Sequence, residues 1–343
     1  IQRRFLTDIY IRDNTADDGI VPSSGTISIS PDLILRPSIA GTPTDLFGEG
    51  SGTESSSSLG YEVEYGQDNY VYVRCKNRGY EDTVDVTTDV YWSEVSTLVT
   101  PDHWSYLGTT NPEDVPAGDT LVVADPITWA QADIPAEGHY CLVGVSGNFF
   151  DPKTLTQTEV ANFDATGMTW EEFQDLIRGH NNVTWRNFNV VDVDLSMATS
   201  SFGPYKFKFR GAFDKDRQFD LLVIHPFGDR LLWKIPTASE FWPELKEQLE
   251  RKALGWEIKQ DNLVTVRCPS NLLIEGLTFL KKASYESEFI LEIDNPYDVL
   301  DKEFHVSQLY KFPEGPVEVG RVVWKHLYRT DDFSSNGGNE PKP

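Results

Sequence analysis

The 343-residue chain has only three cysteines, Cys75, Cys141 and Cys268, and no two of them form a C-x-x-C pair. Its six histidines form no H-x-x-x-H either. Structural zinc needs four closely spaced nitrogen or sulfur ligands, so such a site is not expected. No apolar run approaches the roughly 18 residues of a membrane helix, and no membrane insertion is expected. Basic side chains are few. Against 54 Asp and Glu there are 30 Lys and Arg, a formal net charge of −24. That charge repels phosphate backbones and anionic lipid, so nucleic acid is not an expected partner. The chain starts at Ile1 without an initiator Met or a signal-like charged and apolar segment. The expectation is a processed terminus or a piece of a longer protein.

Catalytic templates are missing as well. GVSGN (144–148) resembles the nucleophile elbow G-x-S-x-G, but Asn148 replaces the second glycine and the context is strand to turn. His139 and Cys141 are two apart and point the same way, toward what reads as core. His225 and His305 read as ordinary strand residues. With 54 acids present, no carboxylate pair stands out as a general acid and base. The expectation is that the chain is not an enzyme.

What is present is period-two alternation. EVEYGQDNYVYVRCKNRG sets Val71, Val73 and Cys75 on one face and Tyr70, Tyr72 and Arg74 on the other. VDVTTDVYW, TLVVAD, HYCLVGVSG and WRNFNVVDVDL continue the series, with turns such as NPEDVPAGD between them. Without helices between successive strands, this is an antiparallel sandwich rather than a parallel sheet. GTPTDLFGEGSGTESSSSLG (41–60) has no periodicity and reads as a mobile loop or poorly ordered insertion. TWEEFQDLIRG (169–179) reads as a docked helix, with Thr169 and Glu172 at capping-box spacing and Phe173, Leu176 and Ile177 in one stripe.

The series restarts after residue 203 with about eight strand candidates, from YKFKFRGAF to VEVGRVVWKHLY. One helix, WPELKEQLERKALG, interrupts them, with Pro243 in its first turn and Gly255 as its stop. The expected class is all-β: two antiparallel immunoglobulin-like sandwiches, each with one short docked helix. The expected divisions are an N-terminal strand and acidic turn (1–29), a first sandwich (30–197), a second sandwich (203–330) and a disordered tail (331–343).

Three groups of residues are site candidates. IRDNTADDG offers Asp13, Asp17 and Asp18 to a cation. Gly19 comes one residue late for a calcium loop and position twelve is Ser24, so a solvated acidic turn competes with an irregular cation site. Calcium is the one cofactor considered, and otherwise none is expected. Cys75, Trp92 and Cys141 follow the Cys, Trp, Cys order of immunoglobulin domains. This leaves open a core disulfide between Cys75 and Cys141 or two buried reduced thiols. His139 stands where the corner tyrosine would be. Finally, Trp104 and Tyr106 in DHWSYLG and Trp129 in ITWAQ could offer ring faces to a sugar, or serve as core aromatics.

SPDLILRPS, YGQDNYVYVRCKNRGYEDTVDVTTDVYWSEV, GHYCLVGVSGNFFDP and NNVTWRNFNVVDV, in that order, resemble the CARDB family, the cell-adhesion-related domain found in bacteria. The resemblance covers roughly residues 30–195. It implies an immunoglobulin-like sandwich and a non-catalytic, secreted or cell-surface setting in bacteria, without naming a ligand. The second half shares only the strand pattern. The expected function is a structural or adhesive module of a surface protein or assembly. The alternatives are an accessory, carbohydrate-binding module of a secreted hydrolase and a subunit of a self-assembling particle. A protein or polysaccharide partner is expected before a small molecule, from the parent polypeptide or from assembly neighbours joined at open strand edges.

Overall fold

The structure, a computed structural model, describes residues 6–191 apart from 58 and 61, then 204–258, 262–292, and 302–325 apart from 314. The expected tail at 331–343 and the boundary between 197 and 203 lie outside the described residues.

The chain is all-β, with four sheets in two sandwiches among the described residues. In the first sheet β4 (Asn69–Asn77) is central. β1 (Ile9–Tyr10) and β2 (Leu33–Arg36) lie end to end along one side of it, and β8 (Val122–Val123) and β9 (Ile127–Trp129) lie along the other. The facing sheet runs β3 (Glu62–Glu64), β11 (Val183–Val191), β10 (Gly138–Gly147), β5 (Thr83–Glu94) and β6 (Ser105–Thr109), with β7 (Glu113–Val115) also on β5. β1 and β2 are thus two halves of one interrupted edge strand. Between them residues 11–32 cross to the second sheet, where Ser30 N–H donates to Trp185 O at 3.1 Å and Asn187 N–H donates to Ser28 O at 3.2 Å. A strand that serves both layers ties them together. The N-terminal segment therefore forms part of the first sandwich rather than a separate lead-in.

Leu33, Leu35, Val71, Val73, Val90, Leu142 and Phe188 fill the space between these sheets. The outer face of the second sheet is also buried: Tyr91, Cys141, Val143, Val145 and Trp185 join a different cluster, which continues into the second half of the chain. A sheet covered on both faces hides the inward direction from periodicity.

The second sandwich pairs a five-stranded sheet with a four-stranded one. The first is β12 (Tyr205–Arg210), β18 (Ser284–Leu291), β14 (Leu231–Pro236), β16 (Leu263–Cys268) and β15 (Trp256–Ile258). The second is β17 (Asn271–Phe279), β13 (Arg217–Ile224), β19 (Glu303–Phe312) and β20 (Gly315–Lys325).

Among the described residues the first half carries four short helices, α1 (Pro43–Phe47), α2 (Gln157–Ala161), α3 (Phe163–Thr166) and α4 (Trp170–Arg178), rather than the single one expected. The expected helix is α4, and its capping box forms as the spacing predicts: Thr169 Oγ1 accepts from Glu172 N–H, and Glu172 accepts from Thr169 N–H. α4 is wedged between the sandwiches. Trp170 meets Phe213, Phe219 and Tyr310 of the second half, with ring centroids 5.4–6.1 Å away, and the Arg217 guanidinium lies over it at 4.7 Å. Each large side chain buried here contributes about 1.5–3 kcal/mol.

In the second half α5 (Trp242–Arg251) covers the open edge of β17. Glu244 accepts from Thr278 N–H at 2.5 Å, and Gln248 donates to Glu275 O at 2.8 Å. Side chains thus occupy edge groups that would otherwise template another strand. α5 stops at Lys252, followed by Ala253 with φ +53°, two residues before the expected Gly255.

The seam between sandwiches is polar as well as apolar. Lys208 N–H donates to Val95 O at 3.2 Å and Thr97 N–H donates to Lys208 O at 2.9 Å, so β5 continues into contact with β12. Buried Thr97 donates its hydroxyl to Gln308 Oε1 at 2.6 Å. A Cβ at Gly320 would lie 1.9 Å from Thr97 O, so only glycine permits this approach.

Candidate functional site

Around Asp32 the first sandwich buries three arginines, Arg12, Arg74 and Arg186, each at most 4% exposed. Arg12 meets both carboxylate oxygens, Nη2 at 2.6 Å and Nε at 2.9 Å, and Arg74 Nε reaches Oδ1 at 3.0 Å. Further donors go to carbonyls: Arg12 to Glu54 O, Arg74 to Pro31, Phe47 and Thr53 O, and Arg186 to Ser30, Leu33 and Ser57 O. Burial opposes ionisation of Asp32, but the hydrogen bonds and charge of Arg12, with the charge of Arg74, outweigh it and hold its pKa below the ordinary value. The Gly/Ser-rich 41–60 segment, expected to be mobile, caps this cluster. Its Phe47 is buried against Tyr72 at 5.1 Å. Composition missed this because the loop is held through its backbone carbonyls, which every residue type supplies. The cluster is enclosed and structural.

The acids of IRDNTADDG are used within the fold. Asp13 is 1% exposed and accepts from Thr184 Oγ1 at 2.8 Å. Burial pushes its pKa well up, and neighbouring Asp17 adds to the rise. Asp17 accepts from the amides of Asp13 and Gly19, and Asp18 from that of Ile20. The three carboxylates thus serve four different partners. Asn14 accepts from Ala16 N–H, the turn role its residue type predicts. Gly19 is required: its φ is +73°, and a Cβ would meet the Tyr10 ring at 2.7 Å. Among the described residues no group of three His, Cys, Asp or Glu is arranged to hold a metal ion.

Of the two readings left open for Cys75 and Cys141, the structure has the reduced pair, both thiols free and buried. Leu142 and Gly144 face the interior of the sandwich, the latter's Cβ direction ending 3.0 Å from Leu33 Cδ2. Cys141 alternates with them and so faces outward, toward α4 and the second half. Cys75 packs with Ile9, Val86 and Val115 in a separate cluster. The two thiols lie on opposite sides of a sheet. Burial pushes all three thiols up to about 12, which leaves them protonated and weakly nucleophilic at neutral pH. Burial lowers His139, stacked on Trp324 at 5.4 Å, to about 4, and likewise lowers His305.

The aromatic candidates separate. Trp129 is 2% exposed, in the sandwich core with Phe188, and Trp104 is 8% exposed, against Tyr91. Only Tyr106 shows a face, at 51%, with its hydroxyl in hydrogen-bond contact with Thr109 and Gln157.

Two surface features were not read from the sequence. A cleft of about 510 Å³ lies where β12 and β18 face the start of β10, lined by Glu94, Glu137, His139, Lys206, Lys208 and Glu288 among others. Two ion pairs lie in its wall, Lys208 to Glu94 at 2.5 Å and Lys234 to Glu288 at 3.3 Å. The other is the loop after β10, where Phe149 is 90% exposed and Phe150 66%. Its signal in the sequence was adjacency: two neighbouring aromatics after a strand cannot both turn inward.

No family model matches the chain, and no curated protein is a significant match. Among solved structures, a CARDB domain from Pyrococcus furiosus in complex with di-metal ions is 15% identical; the match covers 51% of this chain and 100% of that one, with a TM-score of 0.23. Lac15 from a marine microbial metagenome is 8% identical over 83% of this chain and 64% of its own, with a TM-score of 0.25. Calcium-binding domain CBD12 of CALX1.1 is 11% identical over 72% and 76%, with a TM-score of 0.17. At these scores the all-β description rests on the strand pairing itself. No helix among the described residues is long and apolar enough to cross a membrane.

Proposed function

We propose that the chain is a non-catalytic structural and adhesive module of a bacterial extracellular or cell-surface assembly. The observation that carries this reading is the continuous core shared by the two sandwiches, through α4 and the Thr97–Gln308 seam. Such a core suits a stiff unit that holds its ends at a fixed separation. The CARDB-like stretches and the acidic surface agree with that role, and a protein or polysaccharide remains the partner class.

Trp170→Ala tests the shared core. The parent is expected to melt in one transition, while the variant loses about 3–5 kcal/mol and separates into two. Two independent transitions in the parent overturn the stiff unit. No cofactor is assigned, so saturating calcium is expected to leave the melting temperature unchanged.

The exposed Tyr106 ring favours a second reading, an accessory carbohydrate-binding module. It predicts a glycan-array signal lost in Tyr106→Ala; a parent that binds no polysaccharide removes it.

A further inference from the structure

The loop after β10 is fixed as well as apolar. Asn148 Oδ1 accepts from the amides of Phe150 and Asp151, both at 2.9 Å, and Asn148 N–H donates to Asp151 O at 2.9 Å. The Asn148 amide also donates to Thr83 Oγ1 at 2.6 Å and Val84 O at 2.7 Å, and Ile9 N–H donates to Asp151 Oδ2 at 2.6 Å. Six residues of three separate segments therefore hold two phenyl rings in water, their centroids 5.4 Å apart. Val84, Tyr80 and Leu6 are 46%, 64% and 66% exposed at this same end, where Tyr80 N–H donates to Leu6 O at 2.9 Å. An apolar set this open on a pre-organised loop is the form of an interaction site.

Its surroundings specify the partner's charge. Glu81, Asp82, Asp85 and Asp114 are all exposed on the adjoining turn and strands. The cations nearby are turned to other tasks: Lys153 pairs with Asp89 at 2.8 Å, and Arg78 pairs with Asp8 at 3.5 Å. Among the described residues, a rim of carboxylates beside cations already paired repels anionic lipid and a second copy of this −24 chain.

We propose that this end of the first sandwich is a protein-docking tip: Phe149 and Phe150 enter an apolar pocket on a basic partner, whose cations pair with Glu81, Asp82, Asp85 and Asp114. The assignment deepens the adhesive reading and rests on it. The rings supply the contact area that dominates such interfaces, and the acids supply steering and discrimination.

The test uses the full chain and two labelled amphipathic peptides of equal leucine content, one lysine-rich and one glutamate-rich, with neutral phosphatidylcholine vesicles as a third probe. Fluorescence anisotropy is expected to show the lysine peptide binding and the glutamate peptide not, with affinity falling as salt rises. Phe149→Ser with Phe150→Ser is expected to weaken binding by about tenfold or more with the melting temperature unchanged. Asp82→Asn with Asp85→Asn and Asp114→Asn is expected to weaken it several-fold and flatten the salt dependence. No binding of the lysine peptide, equal binding of both peptides, or an unaffected phenylalanine variant overturns the proposal. Phenylalanine-dependent co-sedimentation with vesicles also overturns it, in favour of a membrane contact. The Trp170 melt does not involve the tip, so failure of the docking tip and failure of the stiff-unit reading are told apart.

Discussion

The first sandwich closes around Asp32, Arg12, Arg74 and Arg186, and the second around Phe207, Trp233, Phe289, Phe304 and Trp324. In the second, neutral rings stack, Phe207 on Phe289 at 5.2 Å and Phe304 on Trp324 at 4.7 Å. Such a core is held by burial and dispersion, and the rings themselves carry no charge to titrate. In the first, the ions had to leave water, and carbonyls from distant segments take most of the arginine donors that Asp32 does not. The polar cluster specifies where residues 31–33 and 47–57 lie, and it makes that half sensitive to loss of a single group.

Removing the one carboxylate should therefore have the largest effect. Asp32→Ala leaves Arg12 and Arg74 buried without their counter-charge and is expected to cost about 3–5 kcal/mol in denaturant unfolding, with early loss of protection at amides 47–57. A loss below about 1 kcal/mol would erase the contrast between the sandwiches. Asp32 also sets an acid limit. Its folded pKa is depressed, so its contribution is present above the unfolded value and is lost as pH falls through the folded one.

Asp151 sharpens the comparison in the opposite sense. Burial raises it from 3.8 to about 6, so the folded state holds this proton more tightly than the unfolded state. Stability in the first half should accordingly fall by about 2 kcal/mol as pH rises from about 4 to 6. Asp151→Asn should remove that slope in pH-dependent melts; an unchanged slope would place its origin elsewhere. The smallest effect belongs to the aromatic core: Phe289→Leu is expected to cost about 1–1.5 kcal/mol, equally at about pH 6 and pH 8, above the range where His139 on Trp324 takes a proton. A pH-dependent cost would contradict a neutral core.

The strands were legible because alternation and turn residues act locally, as in NYVYVRCKN and its NRG turn. The same holds for α4, whose cap and apolar stripe lie within ten residues. The facing direction of β10 was not legible: Val143 and Leu142 are equally apolar and both faces are covered, so the phase that paired Cys75 with Cys141 was undetermined. Trp104 and Trp129 were ambiguous for the same reason, since one residue type serves core and surface.

By itself, then, the sequence determined an acidic all-β chain, its main strands and the α4 and α5 helices, since these follow from side-chain periodicity and turn chemistry over a few residues. Tertiary structure alone decided that residues 11–32 bridge two sheets, that the 41–60 segment roofs three buried arginines, and that α4 joins the sandwiches. Those outcomes depend on backbone groups and long-range contacts. A carbonyl that caps Arg74 and a carbonyl in water belong to the same letters.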